Sequence, residues 1–502
     1  MKTKKRIKNN YTLFILIAFI IIAVGVTSFV LFKSPHLGIA DQGDFDRVMS
    51  SSGLSLLDSD KANPDFKRFY DYTVTDYKIS NFFKTILGPI IGSSIGILIL
   101  FISFICKLFN QDIFRTQYLA IAYSFIYIFS LTMILKYLNI KSKLKLTLIG
   151  LLSLFVFFDG NYLLWFNSLY GEPMMLTSLL LFIATFLYYI NYKYVVKGTD
   201  KLTSKIVYVL IASFIFLGSK MQVLTALPFV IILLGKVLWD NRLILPKRNL
   251  NTLLIIFFIV IIYPIQLNMI NGNISKDTQY NSVFYGVLNG SNTPEQDLID
   301  LGLNPDMSVE AGKHSYLNES DYVKYVPRTE ITEKEFYEKI GNLKLAKFYL
   351  THPMRLIQGM EYTADKAFLT STALGKAPRS YSEKPVKEFN RFTTWSSFKE
   401  NSFPRNLFFI IGVYLVIFLI SLYEYFRNKT NYGITNKIFL LWVIMLIGAI
   451  QFPMPFVGNG QADTAKQLYL FNFIFDILLV IIISWCFSKS TKFIKFKGKN
   501  KK

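Results

Sequence analysis

The chain has 502 residues, 52% of them apolar and only 18% charged, a balance that excludes the three or so soluble domains a chain of this length would otherwise hold. Its formal net charge of +22 would suit a nucleic-acid partner, but the basic residues are gathered into short connections rather than spread over a face, so none is expected. Only Cys106 and Cys486 occur, each inside an apolar stretch, which excludes a disulfide framework and a cysteine zinc site.

The first apolar stretch, 11–32, follows the basic tail MKTKKRIKNN. It is too long for the core of a secretion signal, and no small-x-small cleavage site follows, so it is expected to remain as a first span. Further apolar segments lie near 86–107, 117–137, 146–158, 174–191, 205–218, 221–238, 251–270, 407–423, 438–452 and 467–487. The longest are about twenty residues, the length at which a helix rising 1.5 Å per residue crosses a ~30 Å hydrocarbon core.

Charge sets the expected orientation. The N-terminal tail, the connections 136–145, 193–205, 236–248 and 424–437, and the tail from Lys489 together hold 27 basic and three acidic residues. The long segment 272–405 holds 17 of each sign. This positive-inside pattern places both termini and the basic connections in the cytoplasm of a multi-pass protein of the cell membrane. Two cytoplasmic ends need an even number of crossings, so one of the eleven segments should not span. If 86–107 crossed, 136–145 and 193–205 would fall outside; its sequence LGPIIGSSIG, rich in Gly and Pro, suits a re-entrant helix instead.

The expected fold is therefore an all-α polytopic membrane protein of about ten transmembrane helices. An N-terminal transmembrane module, 1–271, includes a first outer loop, 33–116. A helical, loop-rich extracytoplasmic segment follows at 272–405, then a C-terminal hairpin region with a basic cytoplasmic tail, 406–502. Within the outer segment, 332–349 has helical periodicity, Pro353 can open a further helix to about Leu369, and 380–395 lacks periodicity and is expected to be mobile.

Chemistry is sought in the outer loops. Asp41-Gln-Gly-Asp44-Phe-Asp46-Arg47 follows the first span by about a dozen residues. Asp44 and Asp46 at i, i+2 would share one side of an extended segment, where they can bind a divalent cation or divide a general-base role from a positioning role. The same spacing also suits a helix opened by Asp44 as its N-cap. Glu172, in Asn167-Ser-Leu-Tyr170-Gly-Glu172-Pro173, stands at the outer mouth of a span, as a cap or as a second acid. Lys220 lies in a tight outer turn where the charge rule does not call for a lone Lys. Lys466 follows Asp463 in GNGQADTAKQ, as an i, i+3 ion pair or as a ligand for a lipid phosphate. Arg379, in GKAPRSY, is a further phosphate candidate, and Arg47, Tyr170, Gln222 and Asp463 complete the candidate substrate contacts. His36, His314 and His352 are scattered without metal-ligand spacing, and no Walker A, dinucleotide or nucleophile-elbow motif occurs.

An acid motif after the first span, a second acid in the next outer loop and a large outer segment late in the chain resemble the GT-C superfamily of integral membrane glycosyltransferases. More narrowly, ADQGDFDRVM, FNSLYGEPMM, YNSVFYGVL and VGNGQADTAKQLYLFNF are similar to the hexose transferase family of bacterial surface-glycan biosynthesis. The likeness runs from Asp41 to Phe473. In that family the last motif is expected nearer GDG-x-AD-x-x-KH; here Asn459 and Gln467 stand at those Asp and His positions. The resemblance implies a polyprenyl-phosphate-linked hexose donor used on the outer face. It also implies transfer, usually with inversion, to a hydroxyl of a surface glycan, teichoic acid or glycoprotein. It makes Asp44 the base, with Asp46 and Glu172 orienting it or binding Mg or Mn where a metal is used. A transporter or flippase of lipid-linked sugars, and a lipid-linked glycan ligase, are the alternatives; the first would favour charges within the spans, where only Asp476 lies deep.

Overall fold

A computed structural model describes residues 2–63, 70–271 and 276–499. Eight helices among the described residues are long and apolar enough to cross a membrane: Tyr11–Leu31, Thr116–Tyr137, Glu172–Val196, Met221–Trp239, Lys247–Ile270, Leu407–Arg427, Tyr432–Asn459 and Tyr469–Ser490. The pair Lys143–Phe157 and Gly160–Asn167, bent by 58°, makes a ninth if it counts as one span. The expected span at 205–218 is the helix Leu202–Leu217, whose 16 residues reach roughly 24 Å at 1.5 Å each, short of the ~30 Å core. It nonetheless runs between the two ends of the bundle, from Lys205 beside the Tyr188 and Tyr192 rings to Gly218. Eight or nine spans thus meet the length criterion, against the ten expected.

The basic connections meet at one end. Lys145 donates to the Ser488 carbonyl, Lys437 to the carbonyls of Tyr137 and Leu138, and Lys193 to that of Asp240; Lys489 pairs with Glu424. The polar loops gather at the other end, as the charge bias requires.

The segment 86–107 is a broken hairpin. Helix Phe82–Ile91 carries Pro89 internally, and helix Ile95–Leu108 follows after a three-residue break. Its two ends are hydrogen-bonded to each other through a small antiparallel sheet, which an all-α reading missed. Strand β1 (Leu54–Leu56) pairs with β2 (Asp76–Ile79), and β2 pairs with β3 (Ile113–Arg115). Asp76 faces Arg115 and the Ile79 amide donates to the Asp112 carbonyl, so the chain enters and leaves the hairpin on the same side. The limbs touch closely because Gly96 has no side chain: a Cβ there would lie 2.7 Å from the Gly88 backbone. Ser94 then fastens the break to the bundle, its amide donating to the Gly218 carbonyl and its hydroxyl to that of Ile215.

The segment after 276 builds its own core from Tyr280, Phe284, Met307, Tyr325, Phe336 and Phe348, all buried. The expected helix 332–349 is interrupted: a short turn ends near Tyr337, and a helix restarts at Asn342 behind an extended Gly341. Pro353 does open a helix, Pro353–Lys366. The aperiodic stretch 380–395 is irregular as far as Phe392, then enters helix Thr394–Ser402. It is pinned nevertheless, by Arg391 donating to the carbonyls of Lys33 and Pro35 and by the Gly160 amide on the Phe392 carbonyl.

Helix Thr394–Ser402 is anchored on the last span. Lys399 Nζ lies 2.9 Å from Asp476 Oδ2, and both side chains are fully buried. The same oxygen accepts from Tyr162 Oη at 2.6 Å and Trp395 Nε1 at 2.9 Å. The acid of the last span is therefore neutralised by a cation from segment 276–405, a buried ion pair in which Oδ2 takes every contact and Oδ1 has no hydrogen-bond partner among the described residues.

Candidate functional site

The motif after the first span folds into a turn organised by its first acid. Asp41 Oδ1 accepts from the amides of Gly43, Asp44 and Phe45, at 2.8, 2.9 and 3.1 Å. Gly43 takes φ +87°, a conformation that costs glycine little. Helix Phe45–Ser52 begins there with Asp44 at the N-cap position, but the Asp44 side chain caps nothing. Asp41 supplies that oxygen instead, which leaves Asp44 available for another partner.

That partner is Lys466, with Nζ 2.6 Å from Asp44 Oδ2. The expected i, i+3 pair between Asp463 and Lys466 does not form; Asp463 Oδ1 accepts from Gln42 Nε2 at 2.7 Å. The Lys466 ammonium also sits 4.9 Å from the centre of the Tyr170 ring, which Phe45 and Trp165 hold edge-on. Tyr170 Oη is fully engaged, donating to the Ala40 carbonyl and accepting from the Gln42 amide. Burial alone would raise the Asp44 pKa, but Lys466, Lys220 and Arg47 outweigh it and hold the carboxyl far below the usual carboxylate range. Burial would likewise lower that of Lys466, yet Asp44, Tyr170, Glu172 and Asp463 drive it well above the ordinary lysine value.

Glu172 opens its span as the first helical residue, with a fully buried side chain. Its Oε1 lies 2.5 Å from Lys220 Nζ, while Oε2 has no hydrogen-bond partner among the described residues. Two lysine–carboxylate pairs from four distant stretches therefore form one cluster at the polar end of the bundle. Arg47 joins it loosely, 3.9 Å from Asp44.

Three expected site residues lie elsewhere. Asp46 is exposed on the first turn of helix Phe45–Ser52, where it favours the helix dipole, and no ion pair links it to the cluster among the described residues. Gln222 is a brace between helices, donating to Gln451 Oε1 and the Gln467 carbonyl. Arg379 lies 6.0 Å from the Tyr72 ring, on the loop before Phe392. Of the two motif departures, Asn459 braces its loop, accepting from Asn281 and donating to the Ala462 carbonyl, and Gln467 offers its backbone to Gln222. A divalent cation does not fit these acids. Asp44 and Glu172 are each taken by a lysine, and no group of three or more potential ligands is arranged for a metal among the described residues.

Two openings flank the cluster. One is a narrow cleft between Arg47, Lys220 and the hairpin break at Gly92–Ser93, walled by Leu224, Pro264 and Leu267. The other is a polar cavity of about 430 Å³ lined by Asp41, Gln42, Asp71, Asp463, Gln461, His314 and the rings of Tyr285 and Tyr316. Sequence reasoning missed Asp41, His314, Tyr316 and Gln461. Asp41 was legible in the motif as a turn-forming acid three residues before Asp44, whereas His314 and Tyr316 are brought in only by the fold of the outer segment. No curated protein and no solved structure matches the chain. A family model does, over residues 1–502, and its description agrees with the spans: the chain is a multi-pass membrane protein that belongs to the YfdI N-terminal transmembrane domain family.

Proposed function

We propose that this protein transfers a hexose from a polyprenyl-phosphate donor to a hydroxyl of a surface glycan, teichoic acid or glycoprotein, at the outer face of the membrane. One observation carries the reading: the cleft with cations at its inner edge and apolar residues on its walls, beside a carboxylate cluster. A lipid phosphate has both halves of that chemistry, an anion for Arg47 and Lys220 and a chain for the apolar wall of Leu224, Pro264 and Leu267. The cleft encloses only about 20 Å³, so a phosphate requires it to widen.

Lys466 and Lys220 neutralise the charge that appears on phosphate as the sugar departs, a task for preorganised cations at the edge of low-dielectric surroundings. Asp44 and Glu172 hold the two ammonium groups ready. Sequence reasoning makes Asp44 the base, but a carboxylate held far below its usual pKa is a weak proton acceptor while Lys466 stays on it. Its better-supported task is to set Lys466. A transport reading gains nothing from Asp476, the one acid deep in a predicted span, because it is spent on the Lys399 anchor.

The test is transfer itself. Purified full-length protein should move labelled hexose from a synthetic polyprenyl-phosphate donor onto polymer extracted from cells lacking the gene. Cells lacking it should accumulate the lipid-linked sugar and show an undecorated polymer. Unchanged decoration in those cells would sink the reading.

A further inference from the structure

The cation-lined cleft accounts for a donor but leaves the second cavity without an occupant. That cavity is large enough for a sugar ring, since drug-sized and cofactor sites begin at about 300 Å³. Among the described residues its charged lining is of one sign. Asp41, Asp71 and Asp463 contribute three carboxylates, and no Lys or Arg occurs among the described lining residues. Lys387 approaches Asp71 at 3.9 Å but does not line the space. Tyr285, Tyr316 and His314 supply flat rings, with His314 edge-on to Tyr285.

The oxygens are also unevenly used. Asp41 Oδ1 is taken by three amides, and Oδ2 has no hydrogen-bond partner among the described residues. Asp463 is placed in the same way, with Oδ1 on Gln42 and its second oxygen without one. Two carboxylates with one satisfied and one open oxygen, in a cavity floored by rings, are acceptors waiting for hydroxyl donors. An incoming phosphate or carboxylate would instead meet three like charges.

We propose that this cavity is the acceptor subsite, that it takes an uncharged glycosyl unit, and that Asp41 Oδ2 receives the proton of the hydroxyl that is glycosylated. The inference rests on the transferase reading above and narrows its acceptor. In the step, the acceptor oxygen forms a bond to the anomeric carbon, the bond from that carbon to the phosphate oxygen breaks, and its electron pair leaves on the polyprenyl phosphate. The hydroxyl proton passes to Asp41. The charge that leaves is met by Lys466 and Lys220, and the proton that leaves is met on the opposite side of the Asp41–Asp44 turn. Burial raises the Asp41 pKa to about 6, offset in part by the Phe45 amide, which agrees with a proton acceptor near neutral pH.

The experiment uses full-length protein in detergent, the synthetic donor with labelled hexose, and polymer from cells lacking the gene. Linkage analysis of the product should place label on a hydroxyl of an uncharged sugar unit. Asp41→Asn keeps the oxygen that accepts the three amides, so the turn survives. It should transfer at least ~10²-fold more slowly, in the range for a lost general base, while its affinity for the donor stays within twofold of the parent. Tyr316→Ala should raise the acceptor KM and leave the donor KM unchanged. Label on a phosphate- or carboxylate-bearing unit, or Asp41→Asn at the parent rate, overturns the proposal while the transferase reading stands. If the parent protein moves no hexose from the donor, that reading fails and the acceptor subsite with it.

Discussion

Lysine–carboxylate pairs occur in two regions of this molecule under opposite conditions. At the anchor, Lys399 and Asp476 are both fully buried, and Tyr162 and Trp395 share the same carboxylate oxygen. At the site, the Lys466 and Asp44 side chains are 11% and 28% exposed, and their neighbours Asp41 and Asp463 line one opening and Arg47 and Lys220 the other. The difference shows what separates a structural pair from a functional one with identical chemistry. A dry pair with every neighbour fixed can only hold two elements together. A pair at the edge of solvent can exchange its partner for a ligand at modest cost.

The largest effect should come from breaking the anchor. Lys399→Ala leaves a buried carboxylate uncompensated, which costs about 3–5 kcal/mol. Thermal unfolding in detergent should show it, and Lys399→Met with Asp476→Leu should recover much of the loss by replacing the pair with apolar packing. Equal losses in the single and double variants would make the pair irrelevant to docking of helix Thr394–Ser402.

At the site the balance should invert. On the proposed transferase reading, Lys220→Ala and Lys466→Ala should each remove a charge-assisted contact to the donor phosphate, worth about 1.5–3 kcal/mol, or roughly 10- to 150-fold in donor affinity. Lys466→Ala should unfold close to the parent temperature, because its pair is partly solvated. Lys220→Ala should lose more stability, since it leaves Glu172 buried with neither oxygen paired. Donor titration and unfolding of the same samples separate the two losses.

A smaller effect sharpens the contrast between Asp41 and Asp44 through pH. Asp41 is raised to about 6, so below pH 6 it is protonated and acceptor kcat/KM should fall about tenfold per unit. Stability moves the other way. An acid whose folded pKa exceeds its unfolded value binds more protons when folded, so its term favours the fold as pH falls from 6 toward 4. Asp44 is the charged group that acts on Asp41, Tyr170 and Tyr77 lie within its field, and Asp71, Asp463 and His314 line the same cavity. Burial depresses the His314 pKa, and if Asp41 carries the acid limb His314→Asn should keep it. Loss of the limb in that variant would reassign it to the imidazole.

How much of this was legible follows the same division. Apolar length and charge asymmetry are local properties, so most of the spans, the gathering of basic connections at one end and the broken character of 86–107 were legible. The pairing of Lys466 with Asp44 joins residues 422 apart, and nothing in GNGQADTAKQ distinguishes it from the local pair with Asp463. The sheet escaped because β1, β2 and β3 have only three or four residues each, too few for an alternation to show. Asp476 could be placed deep in a span, but its neutralising partner could not be named, because Lys399 lies in a different segment with no sequence mark of its depth.

The smallest expected effect is the most discriminating for the motif itself. Asp44 and Asp46 are two residues apart and chemically identical, yet one meets Lys466 and the other meets solvent. Asp46→Asn removes only a favourable charge at a helix N-terminus, worth about 0.3–1 kcal/mol. It should leave donor affinity and turnover at the parent level. Asp44→Asn keeps the shape but withdraws the negative charge that holds Lys466 in place. It should weaken donor use as Lys466→Ala does, and the double variant should be little worse than either single one, because both remove the same interaction. Additive losses in the double variant would mean that Asp44 acts on its own, and would return to it the proton-accepting role argued here for Asp41.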